Sequence, residues 1–151
     1  MKPEAVAEML RRDRDEWDAL VAALEARPSS ALHDPEFPAW EAKDVYTHFT
    51  RWINNSTDAL EAWLDGRRLI PPPKGTDDEI NARWQAEDAD YTLAEARERA
   101  QRAFLRRLTA IESVPRERWD PILEKMARAD GYEHYASHRR YIETSAHQPQ
   151  S

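Results

Sequence analysis

Two histidines near the end of the chain have a spacing that suits metal binding. His134 and His138 lie four residues apart in the segment GYEHYASHRRYI, residues 131–142. On a helix, side chains at positions i and i+4 share one face, so two imidazole nitrogens can reach one ion. Ordinary polar residues of a helix also have this spacing, and the pair lacks the glutamate of the H-E-x-x-H motif. The spacing alone therefore leaves both interpretations open.

A third imidazole must come from another helix, and His48 is the best candidate. It lies at the inner edge of a predicted second helix, one turn before Trp52. Three neutral imidazoles with an open coordination position suit a divalent transition metal such as Zn²⁺ or Ni²⁺. Such an ion lowers the pKa of a bound water and supplies a hydroxide nucleophile near neutral pH. We expect solvated roles for the other two histidines, His33 in a predicted loop and His147 in a predicted tail.

Four further residues are candidates to line a pocket beside these histidines or to hold the histidines in place. Asp13 falls in the middle of the apolar stripe of the first predicted helix, where a buried carboxylate needs a partner. We interpret it as a group that orients a histidine or a water, or as a residue at a bend or wet edge of that helix. Trp52, Trp84 and Tyr135 either line the pocket or pack in the core.

Helices are the elements that must position these residues, because no segment alternates with period two. The predicted helices are Pro3–Arg27, Glu41–Leu64, a segment from Asp77 through Trp84, a helix capped by Thr92 that ends before Pro115, a short helix in 116–130, and Asp130–Thr144. A long proline-rich connection follows the second helix, and we predict a break or kink near residues 88–91. This pattern predicts an all-α four-helix bundle with one domain, residues 1–145, and a frayed tail, residues 146–151.

The composition excludes several classes of function. The chain has 151 residues, a formal net charge of −7 and no cysteine. The negative charge argues against a nucleic-acid partner, and the absence of cysteine excludes disulfides and thiolate sites. Basic pairs such as Arg106-Arg107 have acids nearby, so we interpret them as solvated helix faces. No apolar run is long enough to span a membrane, and a cytoplasmic location is the expectation.

Three segments resemble the DinB/YfiT-like superfamily of helical bundles. FPAWEAKDVYTHFTRWINNSTDALEAWL, residues 37–64, resembles its second-helix signature through Trp40, Lys43-Asp44 and His48. EHYASHRRYI, residues 133–142, resembles the H-x₃-H of its final helix. DDEINARWQAEDADYTLAEARERAQRAF, residues 77–104, is similar to the ClbS/DfsB-like branch. The resemblance spans nearly the whole chain and rests on the order and spacing of these segments.

The resemblance implies a fold, a metal site and a set of possible activities. Members are four-helix bundles, often dimeric, and many bind a divalent metal at positions that correspond to His48, His134 and His138. Known activities include thiol-dependent transferases and isomerases and detoxifying hydrolysis, and one branch protects against a DNA-alkylating genotoxin. The expectation is therefore a small-molecule hydrolase or transferase in a homodimer. The alternative is a protein without metal that sequesters an apolar ligand or acts as a dimeric scaffold.

Overall fold

The computed structural model describes residues 1–33 and 40–146, without the side chains of residues 145 and 146. Within these ranges the chain is helical and contains no strand. The helices are α1 (Pro3–Glu25), α2 (Ala42–Leu64), α3 (Asp77–Glu87), α4 (Leu93–Glu112), α5 (Pro121–Arg128) and α6 (Tyr132–Ala146). No helix among the described residues has the length and apolar character that crossing a bilayer requires.

Local capping signals set where several helices begin. Thr92 and Glu95 form a reciprocal capping box at the start of α4, as the sequence predicted. Glu41 and Asp44 form the corresponding box of α2. Helix α3 starts where Thr76 accepts a hydrogen bond from the backbone N–H of Glu79, and it ends at Glu87, five residues before the cap of α4.

Several helix ends differ from the predicted ones by one or two residues. Helix α1 ends at Glu25, two residues before the predicted end. Helix α6 begins at Tyr132, whereas the prediction began at Asp130. The reason is that Asp130 has a φ of 55°, a left-handed conformation that cannot continue a right-handed helix. The predicted tail, residues 146–151, lies outside the described residues except for Ala146, as do residues 34–39 of the predicted loop.

The core lies between two pairs of helices. Helix α2 packs along α4, and α1 packs along α6. At the centre, the indole of Trp17 stacks on Phe104 with ring centroids 4.8 Å apart. Tyr135 meets Trp17 edge-on at 5.2 Å. Rings from α1, α4 and α6 therefore join the two pairs, which fixes the distance between the helices that carry the candidate histidines.

A buried ion pair ties α1, α4 and the α5–α6 turn together. The carboxylate of Asp13 accepts from Nη2 of Arg107 at 3.1 Å and from the backbone N–H of Tyr132 at 2.9 Å. Arg107 also donates to the carbonyls of Ala127 and Ala129. Asp13 is 0% exposed and Arg107 2% exposed. The interpretation of the Arg106-Arg107 pair as a solvated face is therefore wrong for Arg107.

Candidate metal centre

Three imidazoles converge at one point between α2 and α6. Nε2 of His48 lies 3.2 Å from Nε2 of His134. One ligand nitrogen from each of His48, His134 and His138 lies within 4.8 Å of the others. His48 and His138 are buried, and the side chain of His134 keeps 26% exposure. The group could hold a metal ion, as the spacing of these three histidines predicted.

Aromatic side chains pack against all three imidazole rings. The ring of Phe49 touches all of them, with centroid distances of 5.1 Å to His48, 4.7 Å to His134 and 5.0 Å to His138. The indole of Trp40 covers another side, 4.8 Å from His48 and stacked at 6.2 Å from His138. These contacts limit the rotation of the imidazoles and keep water away from their inner faces.

Burial keeps two of the imidazoles neutral. It is the largest cause that lowers the pKa of His138 to about 3, and the nearby His134 adds to it. Burial also lowers the pKa of His48 well below its usual value, with further contributions from His138 and His134. Because a metal ligand must offer a nitrogen lone pair, neutral imidazoles at pH 7 are the form that binding requires.

A carboxylate lies beside His134, and a hydroxyl group bonds to that carboxylate. Oδ1 of Asp130 lies 3.2 Å from Nδ1 of His134. The other oxygen, Oδ2, accepts a hydrogen bond from Oγ of Ser56 on α2. The outer nitrogen of His134 thus faces an acid, while its inner nitrogen faces His48. This is the usual arrangement around a histidine ligand, whose second nitrogen bonds to a carboxylate, a carbonyl or water.

A cavity of about 430 Å³ adjoins the three histidines. It is lined by the triad together with Trp52, Asn81, Asp77, Asp78 and Asp130. Asn81 accepts a hydrogen bond from the indole N–H of Trp52 at 2.8 Å, which fixes one wall. The cavity gives a small molecule room to approach the nitrogens that the triad presents.

The donor set and its spacing fit a divalent transition metal. Two nitrogen ligands of a tetrahedral zinc ion, each about 2.0–2.1 Å from the metal, lie roughly 3.3–3.4 Å apart. The separation of 3.2 Å between the nitrogens of His48 and His134 is close to that value, and the nitrogen of His138 lies within 4.8 Å of both. An ion held by three histidines beside a cavity would keep a coordination position open, as in catalytic rather than structural zinc sites.

The four residues predicted to line or support the pocket lie in different environments. Trp52 lines the cavity beside the triad, and Trp84 contacts Trp52 edge-on at 4.8 Å. Tyr135 packs in the core against Trp17 and is 0% exposed, so it is not a pocket wall. The hydrogen bonds of Asp13 go to Arg107 and to the backbone of Tyr132. The carboxylate that contacts a histidine is Asp130.

Sequence reasoning missed the residues that support the triad. Asp130 precedes Gly131, and that pair indicates only a turn when read without a structure. Ser56 and Asn81 lie within the segments that resemble the superfamily, and neither was predicted to belong to the site. His33 was expected to be solvated, but it is 0% exposed and its Nδ1 lies 3.4 Å from Nη1 of Arg27. Burial lowers the pKa of His33 to about 4.

No family profile, curated protein or solved structure matches this chain in the comparisons with known proteins. A function for this chain must therefore be inferred from its own geometry.

Proposed function

We propose that this protein is a DinB/YfiT-like four-helix bundle, closest to the ClbS/DfsB-like branch, that binds one divalent metal ion. Helices α1, α2, α4 and α6 are the four bundle helices, and they are also the four longest. Residues 65–76 form the long connection after α2, and α3 with α4 represents the broken third helix of the prediction. The pairing of α1 with α6 and of α2 with α4 supports this arrangement.

The convergence of His48, His134 and His138 is the observation that carries the proposal. Chance H-x₃-H spacings are common, but helix periodicity does not explain a third histidine whose Nε2 lies 3.2 Å from that of His134, 86 residues away in the chain. The ligands favour Zn²⁺ or Ni²⁺ because imidazole suits both and no carboxylate belongs to the triad. When bound, such an ion supplies Lewis acidity and activates water near neutral pH.

The reaction we propose is hydrolysis or group transfer on a small reactive molecule, as in detoxification. The cavity of about 430 Å³ suits a small molecule, and Trp52 offers it an apolar surface. Asn81, fixed by Trp52, and the triad are the polar groups that would orient this substrate. We also propose a cytoplasmic homodimer that uses neither nucleic acid nor a membrane as partner.

The alternative is a protein without metal that sequesters a small molecule or acts as a dimeric scaffold, and a second cavity favours the sequestering form. It measures about 400 Å³ and lies where the start of α1 meets the end of α4. Its lining is largely apolar and includes Val6, Leu10, Ile111, Val114 and Trp119. An apolar molecule held there would need no contribution from the histidines.

Metal analysis of protein purified without a histidine tag tests the proposal. We expect about one equivalent of Zn²⁺ or Ni²⁺ in the wild type. It is lost in His48→Ala and in the double variant His134→Ala/His138→Ala, and retained in His33→Gln, which changes a buried histidine outside the triad. Substitution with Co²⁺ then shows by absorption how many nitrogens bind.

The opposite result is equally clear. Wild-type protein that binds neither Zn²⁺ nor Ni²⁺, and whose thermal stability neither ion raises, would refute the metal centre. Stabilisation of that same protein by an apolar aromatic ligand would support the sequestering alternative. Light scattering gives the oligomeric state in the same samples and decides whether the homodimer is correct.

A further inference from the structure

Asp130 occupies a backbone conformation that ordinarily favours glycine. Its φ is 55°, and among the residues that the structure describes it is the only residue other than glycine with a positive φ. Glycine is the default residue there, and aspartate is one of the few that tolerate it. The chain has a glycine at the next position, Gly131, but keeps a carboxylate at 130. Some interaction of that side chain offsets the backbone cost.

The carboxylate of Asp130 has two polar neighbours, one on each oxygen. Ser56 of α2 donates to Oδ2, and Nδ1 of His134 lies 3.2 Å from Oδ1. The side chain of Asp130 is 17% exposed, so water competes little for these oxygens. Aspartate therefore links α2, the α5–α6 turn and the first turn of α6 at the edge of the triad.

This contact bears on which nitrogen of His134 carries the proton. A carboxylate oxygen can only accept, so its 3.2 Å approach to Nδ1 favours the tautomer of a neutral His134 that is protonated at Nδ1. Nε2 then has the lone pair and points at Nε2 of His48, 3.2 Å away. In the metal-free pair His48 is the donor, so its Nε2 would have to give up that proton before it could bind an ion. Nδ1 of His48 is buried without a hydrogen-bond partner.

We propose that Asp130 is a positioning residue that holds His134 in the Nδ1–H tautomer with its Nε2 lone pair directed into the triad, and that Ser56 holds Asp130. This inference deepens the proposed metal site and rests on it for its functional consequence. The tautomer itself does not depend on a metal. Asp130 takes the role that Asp13 was expected to have, from the opposite end of the turn.

The test joins a tautomer measurement to a metal-affinity measurement. Nitrogen-15 NMR of the metal-free protein at mildly alkaline pH distinguishes protonated from unprotonated imidazole nitrogens. We expect Nδ1–H at His134 in the wild type. In Asp130→Asn the hydroxyl of Ser56 keeps the amide oxygen as its acceptor, so the amide N–H₂ faces Nδ1 of His134, the proton moves to Nε2 and the lone pair leaves the triad.

Zinc affinity should follow the tautomer. Loss of an outer partner of a histidine ligand typically costs about 10–100-fold in metal affinity, so we expect that loss in Asp130→Asn. Ser56→Ala should give a smaller loss, since the carboxylate remains. Asp58→Asn is the matched control. Asp58 lies on α2 two residues after Ser56 but pairs with Arg106, outside the triad, so its affinity should equal that of the wild type.

Two results would overturn the inference. One is wild-type His134 with an unprotonated Nδ1. The other is Asp130→Asn with both the tautomer and the zinc affinity of the wild type. Failure of the proposed function looks different: the wild type has the expected tautomer, Asp130→Asn reverses it, and neither protein binds Zn²⁺ or Ni²⁺. In that case the positioning of His134 stands and the metal centre does not.

Discussion

Two aspartates hold the α5–α6 turn from opposite sides, and their partners differ. Asp13 on α1 bonds to the guanidinium of Arg107 and to the backbone N–H of Tyr132. Asp130, within the turn, contacts His134 and the hydroxyl of Ser56. Asp13 is fully buried, whereas the side chain of Asp130 keeps 17% exposure. Each carboxylate is thus satisfied by two groups from different parts of the chain.

The difference shows that an aspartate can stabilise the fold at one position and support a binding site at another. The partner of Asp13 is a permanent cation that also donates to the carbonyls of Ala127 and Ala129, and both members of the pair are buried where a ligand does not reach them. The partner of Asp130 is an imidazole with a second nitrogen that faces a cavity. Removing Asp13 should therefore change folding, and removing Asp130 should change binding.

The largest expected effect comes from breaking the structural pair. Arg107→Met leaves Asp13 buried without its cation, and the loss of one partner of a buried ion pair typically costs about 3–5 kcal/mol. Urea denaturation of the metal-free protein measures it. Arg106→Met is the control on the same helix, because Arg106 forms exposed pairs with Asp58 and Glu61 that are worth about 1 kcal/mol or less. Equal losses in the two variants would contradict the assignment.

His33 tests what burial does to an imidazole that lies beside a cation. Its pKa is about 4, lowered by burial and by the charge of Arg27. The unfolded chain takes up a proton at this residue below pH 6.5 and the folded chain does not until about pH 4. As the pH is lowered from 6.5 to about 4, the free energy of unfolding should therefore decrease, by at most about 3 kcal/mol from this residue.

The variant His33→Gln should remove this part of the acid sensitivity. Urea denaturation at both ends of the pH range, for the variant and the wild type, gives the difference directly. Parallel pH dependence of the two proteins would show that His33 does not titrate as its burial indicates.

Gly131 sharpens the comparison because it touches the structural pair and precedes the site. A Cβ at this position would lie 2.6 Å from Nη2 of Arg107 and 2.9 Å from Oδ1 of Asp13. Gly131→Ala must displace one of them, and we expect a loss of about 1–3 kcal/mol in unfolding free energy. Zinc affinity should fall with it if the turn transmits the displacement to His134. Reduced stability with unchanged affinity would show that the two aspartates act independently.

The smallest expected effect lies away from both aspartates. Thr92 caps α4 by accepting from the backbone N–H of Glu95. Thr92→Ala should cost about 1 kcal/mol, measured by urea denaturation, and leave zinc affinity unchanged. A change in affinity here would mean that global stability alone controls binding, and the contrast between Asp13 and Asp130 would lose its meaning.

The helical class and the histidine triad could be predicted because their signals are local. Capping residues such as Thr92 act on the next turn of the chain, and the pair His134 and His138 needs only one turn of helix. His48 was selected because it lies at the inner edge of a predicted helix, and the structure brings it to that pair.

The supporting contacts could not be predicted because they depend on partners far away in the sequence. Asp13 was correctly expected to need a partner, but Arg107 is 94 residues away and resembled a surface arginine beside Arg106. Asp130 cannot belong to the right-handed helix that was predicted to begin there, because its φ is left-handed. A charge at a buried position in the middle of an apolar stripe is predicted to have a partner. Only the packing of α1 against α4 and α6 decides which residue that partner is.

The separation of the triad along the chain has a consequence for folding. His48 and His134 are 86 residues apart, and the chain contains no cysteine with which to form a disulfide. An ion coordinated by all three imidazoles would tie the second helix to the last one and close that long loop, so it would restrict the unfolded ensemble much as a covalent cross-link does. A chelator would then lower the melting temperature of this protein, and added free metal would raise it.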